Sequence, residues 1–308
     1  MNPHRRALFE IHACVILWGF TAILGKLITL PALQLVWWRM LLVSAALACV
    51  PRVWRALARV PPRRRLAFSF IGCVVAVHWL TFYGAVKLAN ASVAATLMAL
   101  APVVTVMIEP VLTGSRFERH NLALGLAVIP GVALVVGGIP GSMHLGFWLG
   151  VVSAALAAVF TVLNKRYLGE HDALAVTALE LGAGFGLVTL ILAAMTPFMS
   201  GAGQVFVLPT VHDGAWLLVL ALLCTLVPYA VSLGTLRHLS SFTVQLAINL
   251  EPVYAIAVAV LFLGEAREVS GLFFLGVAIV LAAVFGHAWL QIRAFRLTRS
   301  LTDERPSV

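Results

Sequence analysis

Ten apolar runs, each close to twenty residues long, set the limits on what this chain can fold into. They cover approximately 11 to 30, 33 to 50, 66 to 88, 90 to 112, 120 to 139, 145 to 164, 173 to 198, 214 to 236, 241 to 263 and 269 to 290, with short breaks rich in charge, proline or glycine between them. A helix rising about 1.5 Å per residue needs roughly 20 apolar residues to cross about 30 Å of hydrocarbon, and open strands would leave backbone groups unpaired there. The expected architecture is an all-α integral membrane protein of ten transmembrane helices. Composition agrees: 62% of the 308 residues are hydrophobic and only 11% are charged, where an ordinary soluble domain carries about 25% charged residues. The spans leave no room for a soluble domain, so the work of the protein is expected within the bilayer. The run after "MNPHRR" is read as a span, because it lacks the short h-region and small-residue cleavage site of a signal peptide.

A formal charge of +9 is compatible with nucleic-acid binding, but the basic residues cluster by loop rather than over one folded face. With the N-terminus inside, Arg5 and Arg6, the six arginines from Arg52 to Arg65, Arg116 and Arg119, Lys165 and Arg166, Arg237, and the four from Arg293 to Arg305 all fall on the cytoplasmic side, 17 of 21. The positive-inside rule then places both termini in the cytoplasm. In "PRVWRALARVPPRRR", Arg52, Arg55 and Arg59 share one helical face and Val53, Leu57 and Val60 another, so this loop is expected to lie along the anionic inner leaflet. No phosphate loop, zinc spacing or nucleic-acid motif is present, and the expected protein uses neither cofactor nor metal. Cys14, Cys49, Cys73 and Cys224 all fall inside apolar runs and read as small packing residues.

The chain also repeats itself. At an offset of 150, "GAVKLANASVAATLMALAPVV" from Gly84 lies over "GTLRHLSSFTVQLAINLEPVY" from Gly234, matching Gly84 to Gly234, Lys87 to Arg237 and Pro102 to Pro252. The register extends back to Trp79 and Tyr229 and forward to Gly114 and Gly264, and a weaker match at offset 140 sets Phe20 over Phe160. One five-helix unit is therefore expected twice, in residues 1–139 and 145–290, followed by a basic cytoplasmic tail at 291–308. An odd number of crossings inverts the second copy, a plan that recurs in secondary transporters with the substrate site near the midplane.

The same residues carry a family likeness. "LFLGE" ending at Glu265 followed by "GLFFLGVAIVLAAVF", with "LWGF", "WWRM", "HWLTFYGAVKLANASVAATL" and "LAPVVTVMIEPVLTG" in the first half, resembles the EamA family of the drug/metabolite transporter superfamily. One departure is Ser115, where that family usually has a glutamate and where the second half keeps Glu265. The resemblance implies a ten-helix carrier of two inverted EamA repeats that exports small metabolites such as amino acids.

Within the spans the polar residues are few. In "INLEP", Glu251 lies about ten residues, or ~15 Å, along its helix, at the midplane, where an ionised carboxylate is disfavoured. It is expected to face the bundle interior, which makes proton coupling an available role. Pro252 and Pro102 each remove a backbone hydrogen bond at paired positions and mark helix breaks or hinges. Arg39 is open to three roles: snorkelling, binding a substrate carboxylate, or pairing with Glu251. His78 and Trp79 fall at mid-depth in the third run. Tyr254 is three residues from Glu251 and within reach of a hydrogen bond to it. Glu180, amid "LGAGFG", is read as contacting substrate or as one half of a buried pair. Gln245 and Asn249 share a face suited to interhelical hydrogen bonds, Glu109 is expected at the cytoplasmic interface, and Lys26 is expected to snorkel.

These residues make the expected partners a small-molecule substrate and the lipid bilayer, with proton coupling an available role and no nucleic acid; the helix faces fix no oligomeric state. The rival readings are a lipid or polyprenyl-linked flippase of the same fold, a multidrug exporter and, lacking any nucleophile motif, an intramembrane enzyme.

Overall fold

The computed structural model describes residues 2–114, 120–195, 207–239, 241–248, 250–283, 285–286 and 289, leaving aside the side chains of 120–126, 241, 242, 245 and 246. Ser115, Arg116, Arg119, Asn249, the Gln245 side chain and the basic tail lie outside the described residues. Among the described residues there is no strand. The helices are α1 (Pro3–Leu27), α2 (Ala32–Ala48), α3 (Pro51–Ala58), α4 (Pro62–Leu88), α5 (Ala91–Met98), α6 (Ala101–Thr113), α7 (His120–Gly137), α8 (His144–Tyr167), α9 (Ala173–Met195), α10 (Val211–Thr235), α11 (Ser241–Ile248), α12 (Glu251–Leu263) and α13 (Gly271–Ala283).

Six of these units are long and apolar enough to cross a membrane: α1, α4, α5 with α6, α8, α9 and α10; α2 with α3 makes a seventh. The ten-span expectation is thus met only in part. Three of the apolar runs appear as shorter helices, at Ala127–Gly137, Glu251–Leu263 and Gly271–Ala283, and the run at 241 to 263 is divided into α11 and α12. The outer surface is what a lipid-facing protein needs, with Leu66, Val111, Leu261 and Phe262 each more than 70% exposed, a pattern a water-soluble fold would hide.

Helix ends follow local chemistry. Pro51 and Pro62 open α3 and α4 at positions whose N–H has no intrahelical partner. Asn90 caps α5 by accepting from the Val93 N–H at 2.8 Å. Gly114 and Gly264, paired at offset 150, close α6 and α12 with φ of 74° and 68°, a left-handed conformation open to glycine at little cost. α3 turns 86° from α2. Over α3 and the two residues after it, Val53 and Val60 are buried and Leu57 is half-buried while Arg52, Arg55 and Arg59 stay exposed, the two faces expected from the sequence.

We call the side carrying the start of α1 the near face. There Arg52 of α3 pairs with Asp172 at 2.8 Å, and the Asp172 carboxylate also caps α9, accepting from the N–H groups of Leu174 and Ala175. Partial burial pushes the Asp172 carboxyl up, but the Arg52 guanidinium and those two N–H groups outweigh it and hold it below the usual carboxylate range. A depressed folded value means that the stabilisation is present above the unfolded carboxylate range and is lost as pH falls through the folded value. Asp172→Asn keeps the cap and loses the ion pair, costing under about 1 kcal/mol because the pair is surface-exposed. Asp172→Ala loses both, and roughly 1 kcal/mol more from the missing cap. Thermal unfolding of both variants across an acid pH series checks the ordering.

The far face is tied more tightly. Glu265, fully enclosed, accepts from the backbone N–H of Ala91 (3.1 Å) and Ser92 (2.8 Å) and from Ser92 Oγ (2.7 Å). The end of α12 thereby meets the start of α5, so the two broken helices α5–α6 and α11–α12 run in opposite directions. Asn90 donates to Glu268, and Lys26 stands 3.8 Å from both Glu265 and Glu268, turned to these carboxylates rather than snorkelling. Asp213 of α10 accepts from the N–H and hydroxyl of Thr29. The repeat also shows in paired contacts: Lys87 donates to the Ile28 carbonyl after α1, and its counterpart Arg237 to the His171 carbonyl after α8.

Close approach is set by glycine. A Cβ on Gly72 of α4 would fall 1.9 Å from the Glu180 carbonyl oxygen of α9, and one on Gly184 would fall 2.8 Å from the Gly72 carbonyl oxygen. The two backbones touch at this crossing, as small-residue interfaces in membranes allow.

Candidate functional site: a cavity between the two halves

A cavity of about 110 Å³ opens among α1, α2, α4, α5, α6, α8, α10, α11 and α12. Its walls carry repeat-related residues from both halves: Trp79 and Tyr229, Phe82 and Ser232, Met98 and Ile248, and Ala101 and Glu251 at offset 150, and Thr21 and Thr161 at offset 140. Residues matched in the sequence repeat therefore share one cavity. The pairing is unequal in charge, since Ala101 stands where the second half has Glu251.

Glu251 is the first residue of α12, with Pro252 next; Pro102 is likewise second in α6. In both places the preceding leucine, Leu100 or Leu250, has φ −76° and ψ near −20°. Each proline thus sits where its missing N–H leaves no helical bond unmade, and each span breaks just before it. Glu251 is 8% exposed and faces the cavity. A helix interrupted at this depth is tolerated where it lines a cavity.

Arg39 projects from α2 into the same space and is 3% exposed, so it does not snorkel. Its Nε donates to Thr225 Oγ1 at 2.6 Å and its Nη1 to the Tyr83 hydroxyl at 2.8 Å, while the guanidinium lies 3.8 Å over the Trp79 ring. That stacking is a cation–π contact, which strengthens where water is excluded. No ion pair within 4.0 Å joins Arg39 to Glu251 among the described residues.

Thr225 owes its place to a widened helix. Residues Val219–Leu226 of α10 form a π-helical segment, with the Val227 N–H bonded to the Leu222 carbonyl. Pro228 follows directly; its ring clashes with the carbonyl of the residue four before it, and the i→i−5 pattern relieves the clash. The hydroxyl of Thr225 also reaches five residues back, to the Leu220 carbonyl at 2.5 Å.

His78 lines the cavity and is buried. Its Nδ1 meets the Ser153 carbonyl oxygen and Ser153 Oγ, both at 2.9 Å. A carbonyl accepts only, so Nδ1 carries the proton and Nε2 is left as an acceptor. Trp18, Phe82 and Phe160 complete an aromatic wall.

Residues 6–137 and 144–289 each match the model of the EamA-like transporter family. The chain belongs to that family. Over 149 residues it is 26% identical to a Clostridium kluyveri protein named "Uncharacterized transporter", a match spanning 48% of this chain and 46% of that relative, so the chain spans about half the length of the curated relative it matches. A solved crystal structure shares the fold with a TM-score of 0.64 at 18% identity, covering 94% of this chain and 99% of the other. The EamA chain is a multi-pass membrane protein.

Of the residues singled out from the sequence of this family member, Glu251, Arg39, His78 and Trp79 come together around one cavity. Tyr254 does not: it is 40% exposed, and its Cβ packs beside Gly19 of α1. Three residues along a helix is a rotation of about 300°, enough here to carry Tyr254 off the cavity face. Glu180 is fully buried but stands behind the wall, where the Tyr229 hydroxyl donates to it and Asn164 Nδ2 lies 3.4 Å from its Oε2. Glu109 is half-buried near the end of α6. Thr225, Asn164 and Ser153 join the site without having stood out in the sequence. For Thr225 the signal was Pro228 in an otherwise unbroken run; for Tyr229, its register with Trp79.

Proposed function

We propose that this protein is a secondary active exporter of small metabolites, amino acids or related amines, in the cytoplasmic membrane. Its halves at 1–139 and 145–290 alternate access by rocking about the cavity, with both termini and the 291–308 tail in the cytoplasm. The observation that supports this reading best is the presence of Arg39 and Glu251 in one aromatic-walled cavity without an ion pair between them. Two opposite charges held apart suit a solute carrying an ammonium and a carboxylate. Arg39 has its Nε and Nη1 bonded within the protein, which fixes the guanidinium and leaves Nη2 for the carboxylate. A hydrogen bond to such a charged group contributes about 1.5–3 kcal/mol.

Glu251 receives the amine, and the same carboxylate takes a proton when the amine leaves, so solute and proton compete for one group. Cavity-lining residues reach toward the near ends of α8 and α10, at Asn164 and Leu236, while on the far face Glu265, Glu268 and Asp213 tie helix ends together. With the near face cytoplasmic, this is the loading side of an exporter.

Counterflow in proteoliposomes loaded with pooled amino acids, amines and nucleobases tests the reading. One compound is expected to exchange, and Glu251→Gln is expected to lower exchange at least about tenfold, a 1.4 kcal/mol effect, and to flatten its pH dependence. Glu251→Gln matching wild type in both rate and pH profile overturns the role of Glu251. Folded protein that exchanges none of the pool, yet scrambles labelled lipid, overturns the small-solute reading in favour of a flippase.

A further inference from the structure

We infer that Glu180, outside the cavity and out of reach of solute, is a proton-binding site of its own, which shares its proton with Asn164 and is coupled to the cavity through Tyr229. The inference deepens the transporter reading and rests on it for its purpose, but not for its test.

The site is built from three helices. Glu180 comes from α9, Asn164 from the last turn of α8 and Tyr229 from α10 just after its π-helical segment. Glu180 is 0% exposed and Asn164 2%. Both donors go to one carboxylate oxygen: the Tyr229 hydroxyl and Asn164 Nδ2 each reach Oε2. The remaining oxygens of the two facing groups, Glu180 Oε1 and Asn164 Oδ1, are buried and have no hydrogen-bond partner among the described residues. Two acceptors cannot satisfy each other, and leaving both bare in a buried site is costly. A proton on Oε1 turns it into a donor, and one O–H···O bond to Oδ1 then satisfies both. The result is a carboxylic acid paired with a carboxamide, acid O–H to amide oxygen and amide N–H to acid oxygen.

Among the described residues no positive charge is placed to hold an ionised carboxylate here instead. On α4 the element facing Glu180 is the Gly72 backbone, and on α2 Met40 packs against Gly184, a turn further along α9. The cations of the surrounding helices are engaged elsewhere. Arg39 is bonded to Thr225 and Tyr83, Lys165 to the carbonyls of Leu236 and Leu239, Arg166 to that of Leu112, and Arg52 to Asp172. Among the described residues no ion pair reaches Glu180. A charge enclosed in hydrocarbon without a partner is disfavoured by several kcal/mol, and a buried acid escapes by keeping its proton.

The link to the cavity is direct, because Tyr229 and Asn164 both line it while also touching Glu180. Tyr229 is the repeat partner of Trp79, on which Arg39 stacks. Each half therefore sets one ionisable group of its second long helix against the aromatic residue of its third, a fixed cation in the first half and a proton-carrying acid in the second. A rearrangement of the cavity wall that withdraws Tyr229 or Asn164 changes how firmly Glu180 holds its proton.

Infrared difference spectroscopy of the purified full-length protein in lipid reads this without any known solute. At neutral pH wild type is expected to show the carbonyl stretch of a protonated carboxylic acid that shifts in D₂O and is lost in Glu180→Gln but retained in Glu251→Gln. Asn164→Leu, which leaves Glu180 in place, is expected to move that band to higher frequency as the acid–amide pair is broken, and Tyr229→Phe to change its D₂O exchange rate several-fold. A neutral-pH spectrum with no band dependent on Glu180, or a band unmoved in Asn164→Leu, overturns the inference. So does loss of the band on exchanging potassium for sodium at constant ionic strength, which would make the site one for a metal cation. Counterflow results leave these outcomes untouched, so the inference and the exporter reading fail separately.

Discussion

Gly72→Ala is expected to cost about 2 kcal/mol or more of stability and to leave little folded protein after extraction. A Cβ at this position would stand 1.9 Å from the Glu180 carbonyl oxygen and 2.6 Å from its carbonyl carbon, so the atoms that must yield are backbone rather than the far end of a flexible side chain. Overpacking typically costs 1–3 kcal/mol, sometimes more, while alanine for glycine inside a helix returns up to about 1 kcal/mol. Because α4 packs against both α8 and α9, separation at Gly72 also loosens the wall that carries His78 and Trp79. Gly182→Ala is the control: nothing lies within 4 Å of its Cβ, and its stability is expected to equal or slightly exceed wild type. Chemical unfolding from detergent micelles compares the two, and equal midpoints for Gly72→Ala and Gly182→Ala would refute the close crossing.

Glu265→Ala carries the second large effect, a loss of roughly 3–5 kcal/mol, the range found when one partner of a buried charged group is removed. The carboxylate accepts three hydrogen bonds from the first turn of α5, and its removal strands the Ala91 and Ser92 N–H groups in a buried site. It also removes a negative charge from a helix N-terminus, where the aligned peptide dipoles favour one. Glu265→Gln retains an acceptor oxygen and is expected to fall between Ala and wild type. Ala and Gln variants of equal stability would show that the charge and the hydrogen bonds do not hold α5. The joint lies between α12 and α5, one from each half, so its loss is also expected to expose the far side. Thiol labelling of a cysteine introduced at Ser92, in a background without the four native cysteines, is expected to rise several-fold in Glu265→Ala. In the sequence of the first half Ser115 stands at the position matched to Glu265, so the two halves do not share this carboxylate.

The sequence determined the membrane class, the helical fold, the doubled unit and the position of the helix breaks, because each depends on short-range chemistry. Twenty apolar residues need a bilayer, a proline removes one N–H from its own helix, and a glycine ends a helix wherever φ must be positive; none of these needs a neighbour. The basic and apolar faces of α3 were legible for the same reason. Glu251 was legible as an inward-facing residue because an isolated carboxylate in hydrocarbon has few other places to go.

The tertiary structure alone decided what these groups meet. Arg39 meets Thr225, Tyr83 and Trp79, from two other helices, and no periodicity within α2 encodes those contacts. Glu180 stands behind the cavity wall rather than in it because Gly72 draws α4 against α9, a distance set between helices distant in the chain. Tyr254 turned away because Gly19 of α1 accepts its Cβ. Glu265 became the clasp on α5, although the sequence reading valued it only as a family mark. In each case the deciding term is the packing of one helix against another, where close approach of side chains and backbones selects among orientations that hydropathy leaves equal.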